Sequence, residues 1–313
     1  MSVEPVYATT EGIDRLTYCT DGSAENFAAA RQCFVDWGLA LVHEAADELM
    51  FETLNGAQVR VLPPDHAELA HTQPMETGAT LREVVWGVKG DGAIRAPAAD
   101  PHGLYHRFQR SAKHAVNVKG SPSNAWGDVQ RVNQPSPVYE RAQPVDIGHV
   151  VLFTQQWSDA VKFYESLGFV LSDSYPGRGA FMRCAPEGGH HDVFLLQVPG
   201  KAQGLNHVAF AVRDIHEVFG GGLSMSRAGW KTQLGPGRHP VSSAYFWYFE
   251  CPVGGLIEYN ADEDHLTADW QPREFAPGPT VFAEWAIDGG IDGHTRRQPQ
   301  VAAGGQFLSE KRH

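Results

Sequence analysis

Short runs rich in apolar and β-branched residues recur along the chain, and each set is interrupted by one longer stretch with helical spacing. Ile13-Asp14-Arg15-Leu16-Thr17-Tyr18 reads as the opening of a strand. Glu25 to Trp37 then carries its apolar residues on one face, an amphipathic helix closed by Gly38. Short strands are expected at 39–45, 48–53 and 57–62, with the turn signal Asn55-Gly56 between the last two. The same order returns later: a strand over Ile147 to Thr154, a helix over Ser158 to Leu167 closed by Gly168, and strands near 169–173, 179–184 and 191–197. Even the helix ends echo each other, Phe34-Val35-Asp36-Trp37-Gly38 against Tyr164-Glu165-Ser166-Leu167-Gly168.

The repeat predicts an α+β fold of βαβββ modules. A single module leaves one sheet face uncovered, and two side by side curl into an incomplete β-barrel around a cavity. Four modules are read, at 10–65, 80–135, 145–200 and 203–262, paired into two domains over 1–135 and 145–288. The second module is the hardest to trace, because Ala96 to Ser123 is rich in Pro, Gly and polar residues. Ser121 to Gln143, with Pro122, Pro135 and Pro137, reads as the linker. After Asn260 the text turns loop-like, with Pro272, Pro277 and Pro279, and residues 289–313 read as a mobile tail.

Two of the strands carry a histidine near their start: His149 in Ile147-Gly148-His149-Val150-Val151-Leu152-Phe153, and His207 in Leu205-Asn206-His207-Val208-Ala209-Phe210-Ala211. Alternation places His149 with Val151 and Phe153, and His207 with Ala209 and Ala211. Further on, residues 242–249 form an aromatic strand, broken by Cys251-Pro252-Val253-Gly254-Gly255 before the strand Leu256 to Tyr259. A tight connection there sets Tyr248 and Glu258 on neighbouring antiparallel strands. Taken singly, either histidine fits a core or capping residue. Two at repeat-equivalent positions, with a carboxylate on the last strand, point to a metal site. The N-terminal modules offer a control: Arg15 stands where His149 stands, and Glu83 where His207 does, and a guanidinium cannot ligate a metal.

Composition narrows the partners. At 313 residues, 42% hydrophobic and 20% charged, the chain suits two globular domains. A net charge of −12, from 25 Lys and Arg against 37 acids, argues against a nucleic-acid face. The N-terminal text has neither the basic nor the apolar region of a signal peptide, and no run approaches the ~18–20 apolar residues of a membrane span. Cys19, Cys33, Cys184 and Cys251 are scattered without CxxC spacing, which suits reduced thiols and a cytoplasmic location.

In Gly237, His239, Tyr248, Pro252, Gly254 and Glu258, at their spacing, the chain resembles the type I extradiol ring-cleavage dioxygenases of the vicinal oxygen chelate superfamily. Two positions depart from the family signature, Trp247 where an aliphatic residue is usual and Cys251 where a polar one is usual. The resemblance implies a metal-free N-terminal domain and a C-terminal site with His149, His207 and Glu258 as ligands. Two imidazoles and one carboxylate leave three coordination positions open, the arrangement of non-haem Fe(II) oxygenases. Fe(II) is the expected ion, with Mn(II) the alternative, and the expected substrates are a catechol and O2. The resemblance further implies that one histidine of the His190-His191 pair handles protons at the O2 site, His191 first and His190 as the spare. His239 and Tyr248 would hold the catechol oxygen, and a homo-oligomer is implied. Phe181, Phe194 and Trp247 are expected in an apolar pocket wall, with His190 also assigned to the substrate pocket.

Weaker signals go to bland explanations. His102 and His106 stand four apart, but Pro101-His102-Gly103 reads as a turn and no third ligand is read nearby, so a surface position is expected. Gly90-Asp91-Gly92 lacks the context of a nucleotide loop, and neither GxSxG nor HExxH occurs. The rivals are a metal-dependent glyoxalase-like isomerase or epimerase, and a metal-free small-molecule-binding module of the same fold.

Overall fold

The computed structural model describes residues 6–276 and 282–288; the expected tail at 289–313 lies outside them, as do Pro277 and Pro279. β1 (Thr9–Cys19) leads into α1 (Ala24–Trp37), then β2 (Ala40–Glu44), β3 (Leu49–Glu52) and β4 (Gln58–Leu62). Ser23 caps α1 by accepting from the Asn26 backbone N–H. Gly38 ends it at φ 104°, a left-handed position where its N–H reaches back to Phe34 and Val35. The buried stripe Ala30, Cys33, Phe34 and Trp37 has the helical spacing that the sequence displays.

The second repeat is shorter than the expected βαβββ unit. It holds β5 (Leu81–Lys89), β6 (Ala98–Ala99) and β7 (Tyr105–Arg110), with no helix among its described residues. Gly90, Gly92, Pro97 and Pro101 interrupt the stretch where a helix would sit. A small hairpin follows within the linker, β8 (Asn124–Ala125) and β9 (Asp128–Val129), with Trp126 fully exposed at its tip.

The third repeat is complete: β10 (Asp146–Phe153), α2 (Trp157–Ser166), β11 (Val170–Tyr175), β12 (Gly179–Arg183), the two-residue β13 (Gly188–Gly189) and β14 (Val193–Leu196). The fourth comprises β15 (Gly204–Ala211), α3 (Ile215–Arg227), β16 (Thr232–Arg238), β17 (Tyr245–Glu250) and β18 (Leu256–Ala261). Short strands β19 (His265–Leu266), β20 (Arg273–Glu274) and β21 (Trp285–Asp288) follow. The first two repeats form one sheet, in order β2-β3-β4-β1-β5-β7-β6. The last two form another, β20-β11-β12-β14-β10-β15-β18-β17-β16-β21, and neither sheet closes into a barrel.

One hydrophobic cluster runs through both sheets and the helices between them. Trp37 lies flat on Tyr259, centroids 3.5 Å apart and planes 2° from parallel, and the Tyr259 hydroxyl donates to the Trp37 carbonyl at 2.7 Å. On α3, Gly222 leaves room for the Trp247 indole: a Cβ there would lie 2.0 Å from the ring. A second, buried polar knot joins the halves. The Asp100 carboxylate meets His102 Nδ1 at 3.0 Å and accepts from the Tyr164 hydroxyl of α2 at 2.9 Å, with His106 Nε2 at 3.6 Å. His102 and His106 are therefore interior residues, not surface ones, because Asp100 supplies the partner that allows their burial. No helix among the described residues is long and apolar enough to cross a membrane.

Candidate active site

His149, His207 and Glu258 come from three adjacent strands, β10, β15 and β18. The register pairs His149 with Ala209 and Ala209 with Glu258, so an alanine methyl is all that separates the imidazole from the carboxylate along that row. His207 stands two residues before Ala209, on the same face. His149 Nε2 lies 3.3 Å and His207 Nε2 3.1 Å from Glu258 Oε2, all three side chains being buried. Donor atoms bound about 2.1 Å from one ion at right angles sit about 3 Å apart, so this spacing fits a metal. His207 Nε2 and both Glu258 oxygens are buried without a properly aligned hydrogen-bond partner. Orphaned polar atoms of this kind are costly unless something else occupies them. His207 Nδ1, 3.1 Å from the Asn206 amide oxygen, is held as the donor, which leaves Nε2 as a lone pair.

Electrostatics agree with a ligand set. Burial alone would raise Glu258, but the three surrounding histidines hold it well below the usual carboxylate range. His207 is pushed down by burial, which outweighs the pull of Glu258 and suits a neutral donor. For His149 burial also acts downward, yet the Glu258 carboxylate outweighs it and holds the imidazole up.

Around the trio lies a cavity of about 610 Å³. His191 flanks it on one side, its ring 4.0 Å from that of His149. It sits in the coil before β14, not on the strand expected over 191–197. Its Nδ1 lies 3.1 Å from Glu263 Oε1 and 3.2 Å from His190 Nδ1. His190 in turn meets Asp173 Oδ2 at 2.9 Å and is wholly buried behind His191. On the other flank Tyr248 stands directly opposite Glu258 in the β17–β18 register. His239 Nδ1 is 2.7 Å from the Phe282 carbonyl, which can only accept, so that nitrogen carries the hydrogen. His239 Nε2 is then free to accept from the Tyr248 hydroxyl at 3.0 Å.

Phe181 and Phe194 line the cavity as a stacked pair, 3.9 Å apart and 4° from parallel. Two expected pocket residues do not line it. Trp247 faces α3 and donates to Thr232 Oγ1 at 3.2 Å, because strand alternation turns it away from the face that carries Tyr248. His190 is wholly buried behind His191, held there by Asp173 on its Nε2. Sequence reasoning passed over Asp173, Asn206 and Glu263, which support the central groups, and set Ala209 beside His207 without its place between His149 and Glu258. A polar residue inside an otherwise buried strand marks Asp173; the others left no local signal.

Comparison with known proteins bears directly on this constellation. Residues 146–259 match the Glyoxalase/Bleomycin resistance protein/Dioxygenase superfamily. Over that stretch, which holds His149, His207 and Glu258, the chain belongs to the superfamily. Metapyrocatechase 2 of Cupriavidus necator is 35% identical over 223 residues, a match spanning 68% of this chain and 66% of that relative's length. The fold of these glyoxalases and dioxygenases extends over almost the whole chain. The Mn(II)-bound glyoxalase from Novosphingobium aromaticivorans superposes with a TM-score of 0.67 at 22% identity, covering 97% of this chain and 100% of that one. Homoprotocatechuate 2,3-dioxygenase from Arthrobacter globiformis gives 0.65 at 18% identity, covering 91% of this chain and 90% of its own.

Proposed function

We propose that this protein is an Fe(II)-dependent extradiol dioxygenase, opening a catechol ring beside the diol with both atoms of O2 entering the product. The observation that carries the reading is one juxtaposition. The two histidines of a His-His-carboxylate trio line a largely apolar cavity, with His191 on one side of it and the His239–Tyr248 pair on the other, and Glu258 is fully buried against them. The relationship to metapyrocatechase supports the substrate class.

His149, His207 and Glu258 would hold the ion, Fe(II) or else Mn(II), which supplies the electronic contact between an aromatic diol and O2. The rest of the work falls to the chain. His239 Nε2, an acceptor by virtue of the Phe282 carbonyl on its other nitrogen, is placed to take a hydroxyl proton from the diol. The Tyr248 phenol, pushed well above its ordinary range by burial and by Glu258, keeps its hydrogen throughout the neutral range and, once His239 Nε2 has taken the proton, would turn that hydrogen from His239 to the oxygen so exposed. His191, with Nδ1 turned toward Glu263 and His190, offers its remaining nitrogen for proton transfer at the opposite side of the ring. Phe181 and Phe194 exclude water and accept the arene. The four buried, unpaired thiols suit a reducing cytoplasm.

The test is anaerobic loading with Fe(II) or Mn(II), then oxygen uptake across mono- and bicyclic catechols, for wild type and His207→Ala. Stoichiometric uptake with a yellow ring-opened product, abolished in the variant, is expected. Metal binding without uptake on any catechol would instead favour a Lewis-acid isomerase, which has no need of O2.

A further inference from the structure

Two cations line the cavity at the end remote from the metal trio. Arg178 occupies the turn between β11 and β12, and Lys201 the loop between β14 and β15. The register puts them together: Phe153 pairs with Leu196, and Leu196 with Gly179, the neighbour of Arg178. The Arg178 carbonyl accepts from the Gln197 backbone N–H at 2.6 Å, and Lys201 Nζ lies 5.9 Å from the centre of the Phe153 ring. Neither has an acidic partner among the described residues, although acids outnumber Lys and Arg by 37 to 25 in the chain. No Asp or Glu lines the cavity either. Elsewhere most lining groups are apolar, or neutral amides such as Gln197 and Gln233.

Distance gives the pair a meaning. His149 and Phe153 share a face of β10 and are four residues apart, about 13 Å at the rise of a strand. A single ring held at the trio by its two hydroxyls ends well short of that row. A cavity of about 610 Å³ is of the size that encloses drug-sized ligands and exceeds what a bare diol fills.

We propose that the substrate is an elongated catechol bearing an anionic group, of carboxylate type, on a side chain or second ring, and that Arg178 and Lys201 receive that group. The proposal rests on the dioxygenase reading for the diol, and on the placement of these two cations for the anion. Ion pairing at an open mouth acts on binding, and it weakens with salt.

The experiment compares catechols carrying a propionate side chain with isosteres carrying an isopentyl chain, each at ring position 3 or 4. Anaerobic calorimetry on Mn(II)-loaded protein is run for wild type and for an Arg178→Gln/Lys201→Gln double variant. Both residues are exposed, so folding is not at stake. At low ionic strength the wild type is expected to bind the better acid about tenfold more tightly than its isostere. That preference should shrink with added salt and largely vanish in the double variant. Equal affinity of wild type for acid and isostere, persistence of the preference in the double variant, or absence of binding by both ligands overturns the proposal. Oxygen uptake with unsubstituted catechol is measured in parallel. Its absence would count against the dioxygenase reading while the binding preference still decides the anion site.

Discussion

The two sheets place the same three strand positions in the same register and fill them with opposite chemistry. In the C-terminal sheet, His149 pairs with Ala209, Ala209 with Glu258, and Val151 with His207. In the N-terminal sheet, Arg15 pairs with Val85, Val85 with Arg107, and Thr17 with Glu83. The trio His149, His207 and Glu258 thus corresponds to Arg15, Glu83 and Arg107. The N-terminal set closes on itself: Glu83 accepts from Arg107 at 3.0 and 3.2 Å, meets His71 Nε2 at 3.0 Å, and has Arg15 Nη2 at 3.6 Å. The C-terminal set leaves His207 Nε2 and both Glu258 oxygens without aligned partners. One sheet has spent its polar groups on each other; the other leaves its own buried without such partners.

The contrast can be broken most severely at the ligands. Glu258→Gln should lose bound metal, measured by elemental analysis, and lower turnover by at least about 10³-fold. Next comes Tyr248→Phe, expected to keep its metal yet reduce kcat by about 10²-fold in steady-state oxygen uptake. Ala209→Val copies the N-terminal Val85 into the space between His149 and Glu258. It touches no donor atom, but should weaken metal binding by about 10- to 100-fold in a chelator competition; unchanged affinity would mean that the alanine is not a spacer.

Glu83→Gln leaves two arginines facing a neutral amide, and should cost about 2–3 kcal/mol in a urea melt without altering metal content. The smallest effect concerns Asp100. Burial alone would raise its pKa, but hydrogen bonds from His102 and His106 hold it well below the usual carboxylate value. A carboxylate depressed in the folded state stabilises above its unfolded pKa, and that contribution fades as pH falls toward the folded value. Asp100→Asn should therefore cost about 2 kcal/mol near neutrality, with the gap to wild type narrowing below about pH 4.

Much of this was legible from the chain. The period of the repeat located β1, α1, β10 and α2 to within a residue or two for most boundaries. Comparing repeats singled out His149 and His207 by contrast with Arg15 and Glu83, and the Pro-Val-Gly-Gly break set Tyr248 against Glu258. What stayed hidden depends on the third dimension. Trp247 reads as pocket only until the strand's alternation is tied to the helix packed behind it, where Gly222 makes room for the indole. His102 and His106 look like surface residues until α2 brings Tyr164 onto Asp100. Glu263 meets His191 from the coil after β18, where no periodic pattern points to it. Arg107, the counterpart of Glu258, was invisible because the second repeat had lost its helix and with it the pattern by which repeats are aligned.

The Trp37–Tyr259 stack carries a consequence for anyone who would separate the halves. Tyr259 follows Glu258 directly in the chain, and its hydroxyl is tied to the backbone of a helix more than two hundred residues earlier. Excising the C-terminal half as a minimal catalyst would strip the support from under the very strand that presents the carboxylate. The N-terminal half would thus act as a splint: it would be retained by selection for holding a backbone still, and its lesions would be diagnosed, wrongly, as defects of the site itself.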